Sequence, residues 1–292
     1  MKLGLSTYSL HRLLNTNEMS LTDAIRWIAE HGGEHVEIVP ISFNLIETPE
    51  LIDDIRRTAE EVGIAISGYC IGANFVKDSD EEYEQEIEKT IRHVEIAHRL
   101  GATRMRHDVA SRPIPETTLE NFEKDLPKLV AACRRIADHA AGLGVTTSLE
   151  NHGFYLQNSE RVRRLVIEVD RPNFRTTLDI GNFLCVDEDP VSAVMNNIPY
   201  ASMVHLKDFY RRTSGNPGEG WFRSSHGAYL RGAIFGQGDI DTPAVISVLK
   251  NSGYDGYVSL EFEGMEDPRQ GVRIALDNAR RLWNEAGASS AK

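Results

Sequence analysis

The sequence has few cysteines and no long apolar run. It contains only three cysteines in 292 residues, without metal-type or redox spacing, so we expect reduced, mostly buried thiols in a cytoplasmic protein. No stretch approaches the roughly 20 apolar residues of a membrane span. The N-terminus, MKLGLSTYSL, has neither the apolar length nor the cleavage pattern of a signal peptide. These absences exclude a disulfide scaffold and predict no membrane partner.

Basic residues and phosphate-binding turns are also scarce. The 32 Lys+Arg against 44 Asp+Glu give a net charge of -12, which argues against a nucleic-acid partner because phosphate binding requires clustered cations. The turn after the first predicted strand reads STYSL, and GQGD at Gly236–Asp239 does not follow a strand. The chain therefore lacks the fingerprint of a doubly wound dinucleotide-binding fold.

Eight β-rich runs alternate with helical patterns along the chain. This alternation predicts an α/β fold, a single (β/α)₈ barrel domain over residues 1–292. Helix starts are predicted at Ser20, at Thr48–Pro49 with proline in the first helical position, and at Thr117. The predicted strands are Lys2–Thr7, His35–Val39, Ile64–Tyr69, Thr103–His107, Val145–Glu150, Phe174–Asp179, Ala201–Lys207 and Gly256–Glu261.

One connection is longer than the others. Phe209–Asp239, a polar stretch with Gly, Arg and aromatic residues, is too long for an ordinary βα connection. We interpret this long β7–α7 loop, about 209–240, as a lid, a subunit contact or both, and we expect a homo-oligomer. Asp208, just before it, is predicted to have a structural role, capping the loop or pairing with a neighbour.

The last four predicted strands each carry a possible metal ligand near the carboxyl end. Their ligands are Glu150, Asp179, His205 and Glu261. Because the carboxyl ends of barrel strands meet at one edge, we expect these four side chains to converge. Three oxygen donors and one nitrogen suit a divalent ion that keeps positions open for a substrate.

Five further residues are predicted to lie near the same mouth. His152 is interpreted as an orienting residue, a substrate contact or an acid–base group, with a solvated loop residue as the alternative. Lys207 is a candidate for the same roles. Glu37 and His107 end strands two and four and are predicted substrate contacts, and Arg211 is a candidate clamp for a substrate oxygen.

Five motifs together resemble the xylose isomerase-like barrel superfamily of sugar-phosphate isomerases and epimerases. They are SLENHG around Glu150, TLDIGN around Asp179, MVHLKD around His205, GQGDID at Gly236–Asp241 and YVSLEFEG around Glu261. Relatives include ketose 3-epimerases, inosose isomerases and dehydratases, and AP endonucleases. The resemblance implies that the glutamates, the aspartate and the histidine bind one divalent ion, Mn²⁺ in first place, with Mg²⁺, Co²⁺ or Zn²⁺ as alternatives.

One position departs from the family pattern. Many relatives carry a histidine three residues after the metal-binding aspartate, where this chain has Asn182. The missing ligand and the acidic charge argue against DNA repair. Asn182 becomes a predicted substrate contact, and the substrate hydroxyl pattern is expected to differ from that of relatives with the histidine.

The resemblance and the chemistry together predict an isomerase or epimerase of a keto-sugar or cyclitol. A divalent ion bridging adjacent carbonyl and hydroxyl oxygens acidifies the C–H between them and stabilises the enediolate. Glu150 and Glu261 are the predicted proton-transfer groups, with His152 as a different route. The alternative is a lyase, either an inosose-type dehydratase or the catalytic subunit of a C-glycoside deglycosidase acting on 3-oxo-glycosides with a second, smaller subunit. A non-catalytic sugar-binding barrel is a further alternative.

Overall fold

Eight parallel strands close into a barrel in the computed structural model of this protein, which describes residues 1–288. Around the barrel the strand order is β1-β11-β7-β6-β5-β4-β3-β2, so the predicted TIM-barrel fold is confirmed. The barrel strands are β1 (Lys2–Ser6), β2 (His35–Ile38), β3 (Ala65–Ile71), β4 (Arg104–His107), β5 (Thr146–Glu150), β6 (Phe174–Asp179), β7 (Ala201–Leu206) and β11 (Tyr257–Leu260).

Helices cover the outside of the barrel. They are α1 (His11–Asn15), α2 (Leu21–Glu30), α3 (Glu50–Val62), α4 (Asp80–Leu100), α5 (Leu119–Ala141), α6 (Ser159–Val169), α7 (Pro190–Asn197), α8 (Thr242–Asn251) and α9 (Pro268–Ala288). Ser20 caps α2 in a reciprocal box with Asp23, as predicted. Two predicted starts are displaced by one residue: Pro49 precedes the first helical residue of α3, and Thr118 rather than Thr117 caps α5.

Side chains alternate between the barrel interior and the helix layer. Leu178, Val204 and Val258 are register partners on neighbouring strands, and all are essentially inaccessible to solvent. They belong to the apolar core between sheet and helices. The residues that follow them, Asp179 and His205, are also register partners and point to the opposite side. The interior near the carboxyl ends is therefore polar, and the apolar core lies outside the sheet.

The stretch predicted as a long loop has its own secondary structure. Residues 208–233 contain a three-stranded antiparallel sheet in the order β8 (Asp208–Arg212), β10 (Tyr229–Ala233), β9 (Phe222–Arg223). Sequence patterns missed it because β9 has two residues and β8 follows β7 after a single residue. We call residues 208–240 the excursion. Its predicted role as a lid or subunit contact stays a prediction.

A single aspartate closes the excursion at its base. Asp208 accepts hydrogen bonds from the backbone N–H groups of Phe209, Gly236, Gly238 and Ile240, at 2.8–3.4 Å. A Cβ on Gly238 would lie 2.1 Å from Asp208 Oδ1, so only glycine allows this close approach. The motif GQGD is therefore structural here, and the predicted structural role of Asp208 is confirmed. Within residues 1–288 no helix combines the length and apolar character needed to cross a bilayer.

Candidate metal and active site

The four predicted ligands come together at the carboxyl edge of the barrel. Each of Glu150, Asp179, His205 and Glu261 offers an atom that lies within 4.8 Å of the atoms offered by the others. All four side chains are buried. The strand register explains why these side chains converge. Asp179 is the register partner of His205, and Glu261 follows Leu260, which is the register partner of Leu206. The structure thus contains a buried site that could hold a metal ion, and the ligand assignment itself stays a prediction.

The His205 ring is oriented by contacts at both nitrogens. Its Nε2 lies 2.8 Å from Glu37 Oε2, while its Nδ1 lies 3.3 Å from Glu261 Oε1 and 3.6 Å from Glu150 Oε1. Burial would lower the pKa of His205, but the charges of Glu37, Glu261 and Glu150 raise it well above its usual range, so without an ion both ring nitrogens carry protons. An ion bound at this site would take the place of the proton on Nδ1. Glu37 is buried, and its second oxygen accepts the Cys70 thiol at 3.1 Å. Glu37 therefore lies behind His205 and positions the ring, and its predicted substrate contact stays a prediction.

Asp179 keeps one oxygen directed at the cluster. Its Oδ1 accepts the backbone N–H groups of Gly181 and Asn182 at 2.7 and 3.0 Å. Its Oδ2 is buried without a hydrogen bond of good geometry, with Lys207 Nζ 3.1 Å away, and both ring nitrogens of His205 also lack a hydrogen bond of good geometry. Buried polar atoms without partners are rare in folded proteins. A carboxylate oxygen and an imidazole nitrogen without well-aligned hydrogen bonds are donors of the kind that a divalent ion uses.

The site also has an excess of negative charge, which favours binding of a divalent cation. Five carboxylates meet there, and the two permanent cations among them are Arg106 and Lys207. Burial raises the pKa of Asp179 to about 6, against the opposing effect of Lys207. Burial alone would also raise the pKa of Glu150, but the charges of Arg106 and His205 hold it well below its usual range. The excess negative charge is compensated by protons or by a divalent ion. The five carboxylates are Glu37, Glu150, Asp179, Glu261 and Glu263.

Two predicted substrate contacts are tied into the cluster itself. Lys207 Nζ lies 3.1 Å from Asp179 Oδ2 and 3.0 Å from Glu261 Oε2. Asn182 Nδ2 donates to Glu150 Oε1 at 3.2 Å, and its Oδ1 accepts from Lys207 at 3.4 Å. Both side chains are buried. Asn182 thus links a carboxylate and a lysine at the position where many relatives have a histidine, and the substrate role of both residues stays a prediction.

At the end of β4 the residue that faces the site is Arg106, and His107 faces the helices. His107 is buried on the helix side, where its ring contacts Phe75 and Phe174 and its Nδ1 lies 2.9 Å from the Asp108 carbonyl. Burial lowers the pKa of His107 to about 4. The preceding residue, Arg106, points inward instead, with Nε 2.9 Å from Glu150 Oε2. Alternation along the strand therefore turns His107 away from the mouth, and its predicted substrate contact stays a prediction.

Two other functional candidates were missed on the β11 side of the mouth. Glu263 accepts from Lys207 Nζ at 3.2 Å, and the Tyr8 hydroxyl also contacts Glu263. Burial raises the pKa of Tyr8 above its ordinary value, and the nearby Glu263 adds to this. Tyr8 belongs to a short helix, Thr7–Leu10, that directly follows β1. The spacing Glu261-Phe262-Glu263 was the available signal, since alternate residues point in similar directions.

His152 and Arg211 lie in two different cavities. His152 is half exposed and lines a cavity of about 430 Å³ beside Glu150, with its Nδ1 3.8 Å from Asp108 Oδ1. Arg211 lines another cavity, of about 620 Å³, where it lies 3.5 Å from Asp187. None of the four predicted ligands lines that second cavity. His152 is thus placed beside the site as predicted, whereas Arg211 lies in a different cavity and its clamp role stays a prediction.

Comparisons with known proteins agree with this geometry. A sequence profile of the family described as "Xylose isomerase-like TIM barrel" matches residues 25–282. The chain is 24% identical over 237 residues to L-ribulose-5-phosphate 3-epimerase UlaE of Shigella flexneri serotype 5b, covering 78% of this chain and 75% of that protein. It is 22% identical over 201 residues to inosose dehydratase of Lacticaseibacillus casei, covering 64% of this chain and 65% of that protein.

A solved structure supports the fold in the same way. The structure described as IOLI protein with a binding zinc atom superposes with a TM-score of 0.73 at 20% sequence identity. The superposition covers 98% of each chain. The zinc atom belongs to that protein, and at this identity the likeness shows the shared barrel.

Proposed function

Because the chain belongs to the xylose isomerase-like TIM-barrel family, we propose that it is a divalent-metal-dependent isomerase or epimerase of a keto-sugar or cyclitol. Sugar epimerases and an inosose dehydratase are among its relatives. The observation that carries the proposal is the buried cluster of three carboxylates and one imidazole at the carboxyl edge of the barrel. In barrels of this class that edge is where catalytic residues lie.

The proposed ion is held by Glu150, Asp179, His205 and Glu261. Oxygen donors with one imidazole suit Mn²⁺ in first place, with Mg²⁺, Co²⁺ or Zn²⁺ as alternatives. When bound, such an ion polarises adjacent carbonyl and hydroxyl oxygens of a sugar and so acidifies the C–H between them. Asp179 Oδ2 and His205 Nδ1, which are buried without a hydrogen bond of good geometry, support this assignment.

Glu150 and Glu261 are the proposed proton-transfer groups. Each has one oxygen next to a cation: Arg106 Nε lies 2.9 Å from Glu150 Oε2, and Lys207 Nζ lies 3.0 Å from Glu261 Oε2. The other oxygen of each, Oε1, faces His205 Nδ1. In this proposal one glutamate removes the proton from one face of a substrate carbon, and the other glutamate returns a proton to the opposite face. Burial of both carboxylates excludes bulk water from the transfer.

A lyase on the same scaffold is the second candidate. The similarity to inosose dehydratase favours it, as does the position of His152. Elimination needs a group that donates a proton to the departing oxygen, and the exposed imidazole in the cavity beside Glu150 suits that role. Under this alternative Glu150 removes the proton and His152 assists the leaving group.

One experiment separates these candidates. The metal-stripped protein is reloaded with Mn²⁺ and incubated in D₂O with a panel of ketoses, inososes and 3-oxo-glycosides, and the products are analysed by NMR after the metal is chelated. We expect deuterium uptake at the carbon beside the carbonyl and the appearance of an isomer or epimer. An unsaturated product indicates the lyase. A protein that binds one ion per chain but exchanges no proton of any panel member would refute the enzymatic proposal.

A further inference from the structure

Lys207 is the most deeply engaged cation in the barrel mouth. Its side chain is almost completely buried, and Nζ contacts three carboxylates: Asp179 at 3.1 Å, Glu261 at 3.0 Å and Glu263 at 3.2 Å. One carboxylate is enough to neutralise one ammonium group, so three carboxylates around Lys207 leave an excess of negative charge. The arrangement places a fixed positive charge at the edge of a cluster that already favours a cation.

The oxygen that Lys207 contacts on Asp179 is the one that a metal ion would need. Asp179 Oδ1 is occupied by two backbone N–H groups. Only Oδ2 remains directed at the cluster, and Lys207 Nζ is its nearest cation. The ammonium group and a bound ion would therefore share or compete for the same carboxylate oxygen.

We propose that Lys207 is a displaceable counter-cation of this site. In the metal-free chain it pairs with Asp179 and Glu261 and keeps the carboxylates in place. When an ion binds, Lys207 yields Asp179 Oδ2 and stays anchored by Glu263 and by Asn182 Oδ1. Its positive charge also lowers the affinity for the ion, so that the ion exchanges instead of being held permanently. This inference rests on the proposed metal site.

The inference predicts two effects of opposite sign. Removing the ammonium group leaves buried carboxylates unpaired, so the metal-free protein should lose stability. Removing the same charge takes away its repulsion of the ion and its competition for Asp179 Oδ2, so the ion should bind more tightly. A buried ion pair with a merely structural role predicts losses in both quantities.

The test uses the full-length protein, stripped of metal and titrated with Mn²⁺ by calorimetry. For Lys207→Met we expect a Kd lower by about tenfold or more, a lower Tm without metal, and a larger Tm increase on adding Mn²⁺ than in the wild type. Lys207→Arg keeps the charge and should not bind more tightly. Lys250→Met is the matched control, because Lys250 lies in the last turn of α8, where its Nζ contacts the Trp283 carbonyl at 2.8 Å, and its loss should leave the Kd unchanged.

The outcomes separate this inference from the proposed function. If the wild type binds no Mn²⁺, or His205→Ala binds it equally well, the proposed metal site is wrong. If the wild type binds and Lys207→Met binds no more tightly, the counter-cation inference alone is wrong. A Lys207→Met chain that folds only with Mn²⁺ supports the inference. If Lys207→Met and Lys207→Gln both fail to fold with Mn²⁺ present, Lys207 is structural and the inference is overturned.

Discussion

The contact between Glu37 and His205 gives a quantitative prediction about metal affinity. Glu37→Gln preserves the size of a completely buried side chain but replaces a charged acceptor with a neutral amide. Glu37 Oε2 lies 2.8 Å from His205 Nε2. Loss of the charge weakens the hydrogen bond that orients the ring and lowers the basicity of Nδ1. It also removes one negative charge from the site, and both effects reduce cation binding.

We expect Glu37→Gln to raise the Kd for Mn²⁺ by tenfold to a hundredfold, which corresponds to about 1.4–2.7 kcal/mol. Calorimetric titration of the stripped protein measures this change. Cys70→Ala is the matched control, because it removes the thiol that contacts the other oxygen of Glu37 and leaves the His205 contact in place. Its Kd should stay within about threefold of the wild type.

A second measurement tests the cause of the effect. In the diamagnetic Zn²⁺-loaded protein, the His205 Nε2 proton should be observable by nitrogen-15 NMR and should be protected from exchange by Glu37. Glu37→Gln should accelerate its exchange. Wild-type affinity in Glu37→Gln would show that His205 orientation does not depend on Glu37 and would refute the reasoning.

Four other predictions concern catalysis, the excursion and pH. Glu150→Gln should reduce turnover at least about a hundredfold and His152→Ala less; loss of solvent-proton exchange in His152→Ala with metal still bound would favour the lyase. Gly238→Ala should lower the free energy of unfolding by about 2 kcal/mol or more, because the new Cβ collides with the Asp208 carboxylate at the base of the excursion. A free energy of unfolding in urea equal to that of the wild type would contradict this. Replacing residues 213–227 with a short glycine-containing turn should leave the barrel folded and change oligomer mass or turnover; if neither changes, both proposed roles of the excursion are wrong. Burial lowers the pKa of His35 in the folded state to about 4, so on acidification the unfolded chain binds a proton at His35 before the folded chain does. His35 should therefore lower the free energy of unfolding by up to about 3 kcal/mol as the pH drops from about 6.5 to 4. His35→Gln should reduce this dependence of stability on pH.

Barrel topology made the cluster predictable from the sequence. Strand ends in a closed parallel barrel share one edge, so Asp179 and His205 could be placed together without coordinates. The fold and most element boundaries followed from the same alternation of apolar runs and helix caps. Ser20 and Asp23 formed the expected capping box because that signal is local in sequence.

The direction of single side chains was not predictable in the same way. At the end of β4, a shift of one residue determines whether Arg106 or His107 faces the barrel interior. Both residues are polar, so the sequence pattern does not indicate which of them faces inward. Glu37 was placed at the mouth because strand position was known but its contact with His205 was not. The small sheet of the excursion stayed hidden because its pairing depends on contacts between β8 and β10, seventeen or more residues apart.

The hydrogen bonds that Asp208 accepts at the base of the excursion have a consequence for how the sequence of this barrel can evolve. Four backbone groups from both ends of the excursion meet on one carboxylate, so the two ends are fixed whatever lies between them. The entropy of closing the intervening segment depends only weakly on its length. The residues between the two ends can therefore be lengthened, shortened or exchanged, with the barrel strands and the cluster of three carboxylates and one imidazole left intact. Because Asp208 fixes both ends, this edge of the barrel can acquire a different binding surface while the residues of the buried cluster stay unchanged.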